Sequence, residues 1–575
     1  MNVASDTLTE ENSAAAESKT QVNRAGRKMP RLSQNRIGEN LRTGVYWIAR
    51  LWFRGVFYGR TLRGRRPQAL TMIPEENWPG SSDRGAGLVD GRFRFLNHTV
   101  SAEDLAVGRS DTGPSWQAEY HSFDWLRDMR AVGTEAARTQ ARTYVSEWMV
   151  ANQKWHPVSW RPDVLARRIC NWLTHAEFVS AGADGDFAEK FLDNIARQVR
   201  HLRRAGRFVP NGVDRMSITK SLIYSALCLP NSIRFVPRQI KAVARMSEEQ
   251  ILPDGGHIER NPLSQMEALR HLIDIRSVLN TATIEIPETL QRAIDRAAPM
   301  LRFYRHGDGG FALFNGSTES EPWLIDVVLT KANARGKPLT SAPHTGFERV
   351  SVNRTLVIAD TGAPSPTGLG AHAGTLSFEM SVAKQRVIVN CGAYAGRDVT
   401  WRLAQRATAA HSTLVVDDRN SFEIREDGTI GGQGANVVAE RLEADGNTWI
   451  DMSHDGYTAS HGISHRRRIY VNGSGLDVRG EDTLDGSGEH KFSIRFHLHP
   501  SVKASLVQDG ASVLLRLPDK SGWRMRCSGG IASLQESIYL GDGQETRRTE
   551  QIVIAGASQQ GATQVKWALT KLTGK

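Results

Sequence analysis

The chain has 575 residues, 40% of them hydrophobic and 23% charged, and a formal net charge of +11. That length exceeds one ordinary core, so two or three domains are expected, and no charge-free apolar run reaches the roughly 18 residues that would mark a membrane-spanning helix. The basic balance fits a polyanionic partner (acidic polysaccharide, anionic lipid or nucleic acid) or a merely basic surface; with no compact nucleic-acid motif, P-loop, dinucleotide fingerprint or serine elbow to be found, nucleic acid is set aside.

Residues 1–37 are polar and aperiodic, and are expected to be a disordered tail. They lack the apolar core of a secretory signal. The expected location is therefore cytoplasmic, or peripheral at the inner membrane. Cys170, Cys228, Cys391 and Cys527 are widely separated, as suits free thiols in a reducing compartment.

Residues 38–70 begin with a basic aromatic helix, 38–60. It spaces Val45, Ile48, Leu51, Trp52, Val56 and Phe57 three and four apart among Arg42, Arg50, Arg54 and Arg60. Such a helix either lies on an anionic membrane or packs against the main body.

A helical domain is expected over 71–303, and from 131 to 303 the pattern is helical throughout. Apolar residues recur three and four apart near 132–150, 162–180, 186–205, 214–229, 235–250, 263–280 and 287–303, with prolines between or at the starts of these segments. Ahead of them, 114–128 (PSWQAEYHSFDWLRD) offers Tyr120, His121 and Trp125, which either line a cleft or belong to the core. Within the helical part, 251–262 (ILPDGGHIERNP) is a glycine turn that presents His257, Glu259 and Arg260 ahead of a helix begun by Pro262. Those charges serve a substrate or pair with each other to tie two helices together.

After residue 304 the text turns to short alternating runs, among them 310–314, 354–359, 468–471, 491–499, 512–517 and 551–555, separated by Gly and Asp turns. This predicts a large antiparallel sandwich over 304–575. His454 and Tyr457 stand in a loop expected at its edge, near a cleft. His372, Asn390 and His411 stand at strand ends, where two imidazoles and an oxygen could hold one structural zinc ion or form a hydrogen-bonded cluster without metal.

Over roughly residues 75–560 the chain resembles the heparinase II/III family of polysaccharide lyases, best at 251–262, 372–394 and 410–418. The resemblance rests on the Leu-Pro-Asp-Gly-Gly-His run, the Ser-Phe-Glu strand at Ser377 to Glu379, Tyr394, and Ala410 to Thr413. It implies that the helices form an incomplete α/α toroid preceding the β-sandwich, a multidomain α+β protein. It also implies β-elimination on a uronate-containing acidic polysaccharide. That chemistry needs a group to neutralise the carboxylate, a base and an acid. The family's Asn-His pair aligns with Val213 and Asp214, its tyrosine with Ser264 and its sandwich histidine with Gly370, so the usual set is substituted. His257, Tyr120, His121, Tyr457 and His454 are the replacement acid/base candidates. Glu259, Arg260 and Trp125 are the candidate substrate contacts. The alternative is a non-catalytic protein of the same fold that binds acidic glycan.

Overall fold

A computed structural model describes residues 45–46, 48–106, 109, 111–230, 232–367, 370–425, 428–431, 435–507 and 512–572. The tail expected over 1–37, and the start of the basic helix, lie outside these residues.

The helices form where the apolar periodicity and the prolines place them. Pro162–Thr174, Gly185–Ala205, Val213–Cys228, Val236–Gln250, Pro262–Thr281 and Glu288–Phe303 follow one another with short connections. Pro162 and Pro262 open their helices, where a missing N–H costs nothing. Asn261 caps the second of these, its Oδ1 accepting from the N–H groups of Leu263 (2.8 Å) and Ser264 (3.2 Å). Asp184 caps Gly185–Ala205 in the same way, accepting from Phe187 N at 2.8 Å. Shorter helices at Ser82–Val89, Pro114–Ser122 and Leu126–Val132, and a hairpin of Arg92–Phe95 with His98–Ser101, pack ahead of this array.

Two antiparallel sheets follow. The first runs, in spatial order, Lys503–Val507, Ser512–Arg516, Gly522–Ser528, Gly561–Lys571, Asp477–Gly486, Ile463–Val471, Asn447–His454 and Val437–Ala444. The second runs Ile531–Tyr539, Arg547–Ala557, Lys491–Leu498, Gln385–Val389, Phe378–Val382, Thr355–Asp360, Phe347–Val352 and Ser341–Ala342, with Leu414–Val416 also paired to Lys491–Leu498. Their facing sides share one core, in which the Phe378 ring stacks on Trp567 at 5.5 Å. A helix-rich part thus precedes an antiparallel sheet part. The core of the helices continues into Phe347, Leu356 and Ile358 of the second sheet.

Two expectations need local correction. Residues 310–314 are not a ladder strand: Phe311 N donates to Glu319 O (2.6 Å) and Ala312 N to Tyr304 O (2.9 Å), so this segment is satisfied as a buried connection. Residues 458–461, expected as loop, form one helical turn before the strand Ile463–Val471.

Candidate functional site: a charged cleft in the helical part

A cavity of about 400 Å³ opens among the helices Pro162–Thr174, Val213–Cys228 and Pro262–Thr281. Its walls carry Arg127, Arg167, Lys220 and Arg270 opposite Asp124, Asp214, Glu267 and Asp274, with Trp78 and His271 between them. Charges this deep require partners, and each cation has one. Lys220 Nζ meets Asp274 at 3.0 Å, and Arg270 meets Glu267 at 2.7 Å. Arg167 grips both Glu119 and Asp124, and Arg127 lies 3.8 Å from Asp124 and 4.0 Å from Glu76. Asp274 also accepts from Trp78 Nε1 (2.9 Å) and Asn77 Nδ2 (3.0 Å). Arg270 lies over the Trp78 ring at 4.7 Å.

Asp214 differs from the other carboxylates. It sits in the first turn of Val213–Cys228, open to the water of the cleft but otherwise surrounded by protein. That enclosure, followed by the neighbouring Asp163 and Glu259 carboxylates, pushes its carboxyl up to about 7. His271 is held neutral by burial and by the nearby Lys220 and Arg270, and its Nδ1 has no hydrogen-bond partner. A carboxyl that titrates near neutrality in a polar cavity is a physically motivated candidate for proton transfer. The sequence pointed to these residues only weakly. Lys220 is followed by Ser-Leu-Ile-Tyr and Asp274 is flanked by Leu-Ile and Ile, a local pattern that hints at an inward-facing charge without naming its partner.

The residues singled out from sequence go elsewhere. Tyr120 and Trp125 belong to an aromatic core: Tyr120 stacks on Trp116 at 5.8 Å, and Trp125 Nε1 donates to Tyr120 O at 3.0 Å. Burial pushes Tyr120 up to about 12. His121 Nδ1 accepts from Trp148 Nε1 (2.8 Å), and burial with the adjacent Arg168 holds it down at about 3. His257 is buried against Gln250 Oε1 at 3.2 Å. None of these four lines the cavity.

Glu259 and Arg260 do not pair with each other. Glu259 Oε1 accepts from Val213 N (3.0 Å) and its Oε2 from Ser264 Oγ (2.6 Å), closing the N-terminus of the helix that carries Asp214. Arg260, at φ +57°, turns the other way. Its guanidinium donates to Thr345 O (2.6 Å) and Gly346 O (3.0 Å), pairs with buried Asp360, and covers the Phe347 ring at 4.9 Å. The loop is thus a fastener between helices and sheets. Gly256 fits there because a Cβ would stand 1.8 Å from Thr345 Oγ1.

His454 and Tyr457 lie inside the sandwich. Tyr457 donates to Leu414 O at 3.1 Å, and burial raises its hydroxyl well above the ordinary range. His454 Nδ1 accepts from Gly456 N (3.0 Å), which leaves its Nε2–H for His465 Nδ1 (3.3 Å). His465 Nε2 in turn donates to Asp482 (2.7 Å).

The expected zinc site is overturned. Among the described residues no group of three or more His, Cys, Asp or Glu side chains is placed to hold a metal ion. His411 Nδ1 donates to Ala407 O (2.8 Å), so its Nε2 lone pair accepts the proton of His372 Nδ1 at 3.0 Å. The lone pair a metal would need is therefore occupied by hydrogen. Asn390 Oδ1 is likewise engaged, by Ser412 N at 2.9 Å.

Residues 334–568 match the family described as Heparinase II/III-like, C-terminal. Over 572 residues the chain is 30% identical to FtsZ-localized protein C of Caulobacter vibrioides (strain NA1000 / CB15N), covering 93% of this chain and 97% of that one. The crystal structure of heparinase III superposes with a TM-score of 0.72 at 14% identity, over 95% of this chain and 93% of the other. The heparan sulfate lyase HepC from Pedobacter heparinus gives 0.60 at 14% identity, over 95% and 92%.

Proposed function

The chain belongs to the heparinase II/III-like family, and we propose that within it this protein works as a peripheral protein of the inner membrane face, where its cleft binds an acidic glycan without the family's elimination groups. The observation that carries this reading is the apolar face of residues 48–57. Ile48, Leu51, Trp52, Val56 and Phe57 are each more than half exposed, Val56 at 91%, while Phe53, Tyr58 and Leu62 turn inward against Trp160 and Ala205. Five large apolar side chains facing water within ten residues, with Arg54, Arg60 and Arg63 alongside, form a surface suited to a lipid interface. No described helix is long and apolar enough to cross a membrane. The relative that matches along nearly its whole length is named for localising with FtsZ, and this protein is expected to share that location.

Flotation with lipid vesicles tests the membrane part. Wild type should float, and Ile48→Ser/Trp52→Ser/Phe57→Ser should stay in the dense fraction; equal sedimentation of both with every vesicle removes the proposal. A fluorescent fusion that ignores FtsZ would remove the localisation.

A second reading, elimination with a rebuilt site, is favoured by Asp214, whose carboxyl near 7 could take up a proton in the cleft. Ultraviolet absorbance of unsaturated uronate, followed across heparan, chondroitin, hyaluronan and alginate, separates the readings. Product formed by wild type and lost in Asp214→Asn would establish the lyase.

A further inference from the structure

A second cavity, of about 210 Å³, is walled by Arg65, Arg66, Arg200, Arg203 and Arg234, and among the described residues no carboxylate lines it. Five guanidinium groups around one small space repel one another, and the nearby carboxylate is marginal: Asp193 lies 3.9 Å from Arg66. The cluster is held in shape rather than splayed by repulsion. Arg200 is fixed by donating to the carbonyls of Leu62 and Arg65, each at 2.8 Å. Arg203 and Arg234 lie over the same Phe235 ring, at 3.9 and 4.9 Å. Three positioned guanidinium groups and two exposed ones, with Asp193 as a single marginal counter-charge among the described residues, make a site for a multiply hydrogen-bonding anion, and the guanidinium fork matches phosphate oxygens.

Its position narrows the ligand. The C-terminal end of helix Gly185–Ala205 carries Arg200 and Arg203, and the same end anchors the apolar segment: Tyr58 Oη meets His201 Nδ1 at 2.6 Å, and Arg204 donates to Thr61 O at 2.9 Å. Ile233, beside Arg234, is itself 64% exposed. Apolar side chains and an arginine-walled cavity therefore share one end of one helix.

Resting on the peripheral-membrane reading above, we propose that this cavity receives the phosphate headgroup of an anionic phospholipid while the side chains of residues 48–57 enter the acyl layer. The apolar face supplies attachment and the arginines supply lipid selectivity.

The test is flotation of the full chain with phosphatidylcholine vesicles, with and without phosphatidylglycerol. Wild type should prefer the anionic vesicles. Arg203→Ala/Arg234→Ala should lose roughly tenfold or more in partition to them, at about 1 kcal/mol per basic residue near the surface, and keep its partition to neutral ones. Arg65→Ser/Arg66→Ser changes two exposed side chains and should lower the same preference without any question of folding. Arg466→Ala/Arg468→Ala, on the outer side of the first sheet, removes equal charge elsewhere and should change little. Equal loss in that control, or an unchanged preference in both pocket variants, overturns the pocket and leaves membrane attachment standing. Failure of wild type to float with either vesicle removes the attachment and the pocket with it. Displacement by inorganic phosphate as readily as by glycerol phosphate at matched ionic strength would assign the cavity to free phosphate instead, and overturn the lipid proposal.

Discussion

Glu259 and Arg260 are adjacent in the chain and serve opposite halves of the molecule: Glu259 takes the Val213 N–H at 3.0 Å, and Arg260 gives its Nε–H to Thr345 O at 2.6 Å. The left-handed backbone at Arg260 makes this divergence possible. Arg260→Ala should cost about 3–5 kcal/mol, because it strands the buried Asp360 carboxylate. Arg260→Lys should recover little of this, since an ammonium cannot reproduce the fork that reaches both Thr345 and Gly346. Chemical denaturation reads the difference; a loss below about 1 kcal/mol would remove the fastener role.

Acid should unfold the helical part through Glu76. Burial opposes its ionisation, but the His175 ring at 3.1 Å, Arg127 and the Trp78 N–H hold it down at about 2. Its folded value is depressed, so its contribution is complete above the unfolded value near 4.5 and is lost as pH falls from there to about 2. Glu76→Gln should destabilise the protein by roughly 3 kcal/mol at pH 7, from a carboxyl held at about 2 rather than 4.5 and about 1.4 kcal/mol per tenfold change in proton affinity, and by almost nothing at pH 2. Melting curves across that range check the convergence.

Uronate binding in the cleft should follow Asp214. With its carboxyl pushed up to about 7, Asp214 is mostly neutral at pH 6 and mostly charged, like the ligand, at pH 8. Titration calorimetry with uronate oligosaccharides should give several-fold tighter binding at pH 6 than at pH 8, and Asp214→Asn should bind equally at both. A pH dependence that survives in the variant would place the titrating group elsewhere.

Metal removal should leave stability unchanged. A chelator should not move the melting temperature, because a proton bridges His372 and His411. His372→Ala should cost about 1–3 kcal/mol, by leaving His411 Nε2 buried without a donor. Stabilisation by added zinc that vanishes in this variant would contradict the assigned tautomers.

Sequence periodicity located the helices closely because their ends are chemically marked. The expected 263–280 became Pro262–Thr281, opened by the capping Asn261 and by Pro262 in its first turn. The sandwich was legible from period-two runs such as 491–499, seen as Lys491–Leu498. The cleft was not legible. Helical spacing says that Lys220 and Asp274 face inward, but only the packing of two helices brings them to 3.0 Å. His257, Arg260 and His454 have side chains suited to catalysis, yet each is consumed by a neighbour that is remote in sequence or hidden behind a turn. A motif fixes what a loop can reach, and the tertiary fold decides which side it reaches toward.

The apolar face at residues 48–57 also bears on how the purified protein will behave. With Val56 and Ile48 turned to water among the described residues, molecules in dilute buffer can hide that surface against one another. Apparent size on a gel-filtration column should grow with concentration, and mild detergent should return it to one copy. An oligomer measured without detergent would then report missing lipid rather than a native assembly.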